Sequence, residues 1–104
     1  MDIESIRDHC LAKPGVTESL PFDEETLVFK VGGKMFCLMA LEKNPSRINL
    51  KCDPEEAISL RDTYPSIIPG YHMNKRYWNT VILDGSFEES LIWKMIDNSY
   101  DLVF

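Results

Sequence analysis

The sequence has little of what metal sites and nucleophilic enzymes are built from. Its only histidines are His9 and His72, and it contains no His-x-x-x-His or Cys-x-x-Cys pair. A metal site needs three or four convergent ligands, so neither a metal nor another cofactor is expected. A cysteine nucleophile would need a base within reach, such as His72 beside Cys37 or Cys52, and no local signature supports that pairing. The Gly32-Gly33-Lys34 stretch lacks the spacing and the following helix of a phosphate loop. No enzymatic activity is expected. Cys10, Cys37 and Cys52 are odd in number and widely spaced, which argues against a disulfide framework and for a reduced, cytoplasmic protein. Long apolar runs are missing too: none approaches the ~20 residues that span a bilayer. The acidic start Met1-Asp2-Ile3-Glu4 has no signal-peptide pattern, so no membrane association is expected. Repeats, low-complexity tracts and linkers are absent, and the 104 residues read as a single domain, 1–104. A chain of that length buries roughly 65% of the surface its unfolded form exposes.

Acid is also missing where it is most informative. The net charge is −6, yet it is strongly segregated. Residues 1–29 carry −5, residues 30–52 carry +4, residues 53–62 carry −3, residues 63–83 carry +2 with no acid at all, and residues 84–104 carry −4. The positive segments coincide with those that read as strands, the negative ones with those that read as helices.

Asp2 can cap a first helix whose Ile3, Ile6, Cys10 and Leu11 share one side, and Pro14-Gly15 stops it. The period then changes to two: Leu27, Phe29 and Val31 alternate with Thr26, Val28 and Lys30. Gly32-Gly33 supplies the positive φ of a tight hairpin turn. The return run, Lys34 to Leu41, is apolar at nearly every position, as in a central strand covered on both faces or one with a face covered by a partner. A short strand of strict alternation follows, Arg47-Ile48-Asn49-Leu50-Lys51. Asp53-Pro54-Glu55-Glu56 combines a capping aspartate, a first-turn proline and two acids at the positive end of the helix dipole. Two further β-like stretches lie around 67–72 and 78–83, and Ser86 with Glu89 fits a capping box that opens a last helix. The fold class is therefore α+β: a two-layer α/β domain with an antiparallel sheet, in the order α-β(3)-α-β(2)-α.

Such a sheet has one face under helices and one face free. With Ile48 and Leu50 turned inward, Arg47, Asn49 and Lys51 point to the free face, joined by Lys30. Residues 71–80 read Tyr-His-Met-Asn-Lys-Arg-Tyr-Trp-Asn-Thr, interleaving bases, amides and aromatics. Lysine and arginine neutralise phosphate, asparagine bonds base edges and aromatics stack. The candidate site thus comprises Arg47, Asn49, Lys51, Lys75 and Arg76 for phosphates, with His72, Asn74, Tyr77, Trp78 and Asn79 contacting bases or shaping the site. Trp78 could equally be a core residue that starts a strand, with Asn74 making a turn.

The motif Tyr71-His72-Met73-Asn74-Lys75-Arg76, followed by Trp78-Asn79-Thr80-Val81, resembles the signature of the MmcQ/YjbR family. Supporting matches are 13–18, the 29–34 hairpin, Lys51-Cys52-Asp53-Pro54 and Ser99-Tyr100-Asp101-Leu102-Val103. The resemblance covers essentially the whole chain. It implies an α-β(3)-α-β(2)-α domain with a double-wing arrangement, a DNA-binding role and no enzymatic activity. Tyr77 departs from the histidine expected there, and family members commonly run on into a lysine-rich tail where this sequence stops at Phe104. With a net charge of −6, weak and salt-sensitive DNA binding is expected.

The last helix carries a second pattern. Phe87, Leu91, Ile92, Met95, Ile96, Leu102 and Val103 form a stripe that should face the sheet, and Trp93, Tyr100 and Phe104 gather on the other side. Either another part of the chain covers these aromatics or they form an interface. That second reading makes the protein an adaptor, protein-interacting or chaperone-like, assembling as a homodimer.

Overall fold

The computed structural model describes residues 2–71 and 73–104. The elements run α1 (Ile3–Leu11), β1 (Val16–Ser19), β2 (Thr26–Val31), β3 (Lys34–Ala40), β4 (Arg47–Lys51), α2 (Pro54–Thr63), β5 (Ile67–Pro69), β6 (Trp78–Ile82) and α3 (Glu89–Val103). All six strands belong to one antiparallel sheet in the order β1-β2-β3-β4-β6-β5. The α+β class and the antiparallel sheet agree with the sequence reading, with one strand more than expected before α2. That strand is β1, in which only Val16 is apolar. It is held outermost by pairing with β2 and by Arg7 of α1, whose Nε donates to Glu18 at 2.7 Å.

The local signals act where the sequence puts them. Asp2 accepts from Ser5 N at 2.8 Å to start α1, and Asp53 accepts from Glu55 N and Glu56 N ahead of Pro54 to start α2. Gly32 and Gly33 have φ of 57° and 78°, the pair of positive values a two-residue turn between β2 and β3 requires. The capping box at Ser86 does not form. Ser86 N donates instead to Asp84 Oδ1 at 3.0 Å, Ser66 Oγ bonds the other oxygen of Asp84, and α3 begins three residues later without a side-chain cap.

The helices lie on one side of the sheet. Ile6 and Cys10 of α1 and Ile92, Met95, Ile96, Tyr100 and Val103 of α3 pack with Phe29, Val31, Cys37, Met39, Ile48, Leu50 and Val81 in one core. Leu102, expected in the inward stripe, is half exposed, while Ser99 and Tyr100 are buried in its place. Between Phe29 and Lys30 the β2–β3 register shifts, so Phe36 is accommodated as an extra residue and both it and Cys37 turn into the core. The β3–β4 ladder ends at Cys37 opposite Leu50. Where the next rung would join Phe36 and Lys51, the hydroxyl of Ser99 stands between them: Lys51 N donates to Ser99 Oγ at 2.9 Å, and Ser99 Oγ donates to Phe36 O at 2.5 Å. Among the described residues no helix is long and apolar enough to cross a membrane.

The Ser99 bridge predicts a large cost for a small change. Ser99→Ala leaves a backbone donor and a backbone acceptor unmet near the core, about 2 kcal/mol, which thermal unfolding should report as a fall in Tm of roughly 10 °C. The Asp84 turn gives a pH signature. Hydrogen bonds from Ser66 and Ser86 hold its carboxyl at about 2 against an ordinary 3.8. A carboxyl whose pKa is lowered by folding stabilises above its unfolded value and loses that contribution as pH falls through the folded value. Asp84→Asn should therefore lower Tm at neutral pH, and the gap to wild type should close between pH 3.8 and about 2.

Candidate functional site

The sheet face away from the helices is not wholly free. Val28 of β2, Leu38 of β3 and Trp78 of β6 form a second apolar cluster on it, with Met35 and Met73 packed against them. Met73 lies between β5 and β6 and, with Gly70, packs back against Trp78 on this face. Gly70 makes that return possible. Gly70 N donates to Trp78 O at 2.9 Å, and a Cβ at Gly70 would lie 2.8 Å from Trp78 Cβ and 2.9 Å from Trp78 O. Trp78 is accordingly 8% exposed: it shapes the face from below and offers no ring for stacking.

Period-two alternation places Arg47, Asn49 and Lys51 of β4 on this face, since Ile48 and Leu50 are buried against the helices. The same alternation removes Asn79 from the candidate site. Its neighbours Trp78 and Thr80 look outward, so Asn79 looks inward, where it is 2% exposed and its Nδ2 donates to Ala57 O of α2 at 3.3 Å. Asn74 spends its side-chain oxygen on its own turn, accepting from Arg76 N at 2.9 Å. His72 lies outside the described residues.

Of the four cations expected to converge beside Trp78, only Lys51 shares a depression with it. Arg47 stands at the far end of β4 from Lys51, about 13 Å away at strand rise, and its Nε is buried without a partner among the described residues. Lys75 Nζ donates to Gly70 O at 3.3 Å, and its carbonyl accepts from Arg61 of α2 at 2.9 Å, so it marks the rim at the end of the sheet. Arg76 lies over the Tyr77 ring, 5.6 Å from its centroid. The tighter gathering is a different one. Lys30, Lys34 and Lys51 line a single open depression of about 470 Å³ together with Met35, Trp78 and Phe22.

A neighbouring depression of about 450 Å³ shares Phe22 and is lined further by Asp23, Thr26, Leu38, Ala40, Lys43, Asn49, Tyr71 and Met73. Phe22 and Tyr71 are 64% and 61% exposed, and sequence reasoning had assigned neither to the site. Both stand on loops, where no periodicity marks a side chain's direction. Phe22 is placed by a turn in which Asp23 Oδ1 accepts from Glu25 N and Thr26 N, each at 2.8 Å. Tyr71 is anchored through its backbone N, which donates to Thr80 Oγ1 at 2.9 Å. Having accepted there, the Thr80 hydroxyl gives its proton to the Oδ1 of Asn49, a lining residue of the depression whose amide nitrogen remains a donor.

Elsewhere the aromatic group on α3 is covered from within the chain. His9 of α1 packs on Trp93 with ring centroids 4.7 Å apart and bonds Asp97 at 2.7 Å. Tyr100 is 7% exposed, edge-on to Phe36, with its hydroxyl donating to Pro14 O at 2.6 Å. Of the two readings of these aromatics, covering from within the chain holds for Trp93 and Tyr100, and Phe104 is left exposed, stacked on Tyr100. Two thiols are held in the protonated form: burial and the acids Glu56 and Asp53 push Cys52 up to about 11, and contact with Cys10 together with full burial pushes Cys37 up. No three potential metal ligands converge among the described residues.

The close approach at Gly70 can be checked directly. Gly70→Ala should lift the 70–77 segment from the face, costing about 1–3 kcal/mol and exposing the Trp78 indole. In a Trp93→Phe background its emission should shift to longer wavelength.

Comparison with known proteins adds the family. A model of the YjbR family matches residues 11–102. The uncharacterised protein YbdF of Escherichia coli O157:H7 is 40% identical over 100 residues, covering 96% of this chain and 82% of its own. YjbR of Escherichia coli K12, also uncharacterised, is 36% identical over 100 residues, covering 96% and 85%. Among solved structures, Deinococcus radiodurans DR2400, a DUF419 domain, superposes with a TM-score of 0.93 at 43% identity, over 97% of this chain and 77% of its own. A Pseudomonas syringae protein superposes with a TM-score of 0.86 at 28% identity over the whole of both chains. With fold, motif residues and similarity in agreement over nearly its full length, the chain belongs to the YjbR family.

Proposed function

We propose that this protein is a nucleic-acid-binding module that works through the sheet face opposite its helices. One observation carries the reading: Lys30, Lys34 and Lys51 line one open depression at the hairpin end of that face, which reaches Val103 of α3, and none has a carboxylate partner among the described residues. Eight of the 17 acids lie on the helices, Glu4 and Asp8 on α1, Glu55, Glu56 and Asp62 on α2, Glu89, Asp97 and Asp101 on α3, while Asp23, Glu24 and Glu25 form an acidic loop beside Phe22. The helices thus carry net negative charge and β2, β3 and β4 net positive charge, and the lysine depression is the part that meets a polyanion. Lys43 lines the neighbouring depression, and Lys75 and Arg76 stand at the rim beyond it.

Magnitude decides what kind of binding this is. Each phosphate neutralised contributes through counterion release, and a depression with three lysines engages few phosphates. The net charge of −6 opposes approach at long range. Binding is weak at physiological salt and strengthens steeply as salt is lowered. Titration of labelled DNA by fluorescence anisotropy at low and at physiological salt tests this. Affinity at low salt is expected, and Lys30→Ala with Lys51→Ala should flatten the salt slope by about two. Absence of binding to any DNA at low salt would overturn the reading.

A further inference from the structure

We propose that the open face takes single-stranded nucleic acid, seating one unstacked base in the depression between Phe22 and Tyr71 while the adjoining phosphate rests on Lys30, Lys34 and Lys51. This rests on the nucleic-acid reading above and adds the form of the ligand.

The two depressions differ in chemistry and touch at Phe22. One is walled largely by carbon, from Leu38, Ala40, Met73 and the two exposed rings, with a few polar groups at its margin. The other is cationic. A nucleotide unit has the same division: a flat ring with apolar faces and a polar edge, joined to an anion one sugar away. At about 450 Å³ the apolar side lies within the range of small-ligand sites. Its polar groups suit a base edge. The Asn49 amide nitrogen is a donor because its oxygen is engaged by Thr80, and Lys43 is a second donor. The single carboxylate there, Asp23, has one oxygen committed to two backbone amides of its own turn.

The same layout disfavours a duplex. In a double helix each base has both faces covered by its neighbours, so no base can enter a depression behind two loop aromatics. A duplex contact also draws on cations spread along the backbone track, whereas three of the lysines here are gathered at one hollow, with Arg47 about 13 Å from Lys51. Sheet faces that carry exposed rings beside a cationic groove are the usual solution for single strands, because every base has a face to stack.

The test compares a labelled oligothymidine with a duplex of equal length at low salt, using wild type, Phe22→Ala and Tyr71→Ala. Both side chains are mostly exposed, so the variants should fold, and thermal melts would verify it. The single strand should bind more tightly than the duplex. Each variant should weaken single-strand binding about ten-fold and leave duplex binding unchanged, and an abasic oligonucleotide with the same phosphates should show the same loss. Conservative Tyr71→Phe should retain affinity. Equal or tighter duplex binding, or variants that bind the single strand like wild type, would overturn this inference while leaving the nucleic-acid reading in place. Failure of both ligands to bind would remove both.

Discussion

A single hydroxyl joins the helical layer to the sheet at the point on which the rest of the structure turns. The extra residue at Phe36 interrupts the regular pairing of β3 with β4, and the amide of Lys51 and the carbonyl of Phe36 would face each other across a gap too wide for a direct bond. Ser99 of α3 fills that gap, accepting from one and donating to the other. A buried backbone group without a partner is costly, so this contact fixes the rotation and height of α3 over the sheet. It also fixes the end of β4, from which Lys51 projects to the opposite side. The helix-side packing and the lysine hollow therefore share one anchor.

The sheet then works as a partition. On the helical side, alternate residues of β2, β3, β4 and β6 close an apolar core with α1 and α3. On the other side the same strands carry lysines and amides, over a smaller cluster around Trp78 that the 70–77 segment seals. That cluster makes the second face firm, which a polar sheet surface alone would not be. The packed strands fix the backbone positions from which Lys30, Lys51 and Asn49 project, while Phe22 and Tyr71 stand on loops above them.

How far the sequence reveals this depends on whether a side chain's direction follows from a period. In β4 it does: Ile48 and Leu50 inward force Arg47, Asn49 and Lys51 outward. The same logic applied one strand further would have set Asn79 inward once Trp78 was outward, but contiguous polar residues in 71–80 invite reading the stretch as one surface. In α3 the helical period locates the buried stripe, yet whether the opposite aromatics are bare depends on where α1 lies, and that is set by contacts such as His9 with Trp93 and Asp97. β1 is nearly invisible because Val-Thr-Glu-Ser has one apolar residue and is a strand only by virtue of its neighbour. Phe22 and Tyr71 are the hardest of all: loop residues follow no period, and only the Asp23 turn and the Gly70 approach aim them at the face.

The two outermost strands bear on how the molecule meets others of its kind. β5 is three residues long and ends in Pro69, which has no amide hydrogen to offer an incoming strand. β1 is four residues long and holds Glu18 in an ion pair with Arg7. Short margins furnished with proline and charge resist edge-to-edge polymerisation. A sheet terminated in this way at both sides is discouraged from growing sideways, and recognition is left to its broad surface.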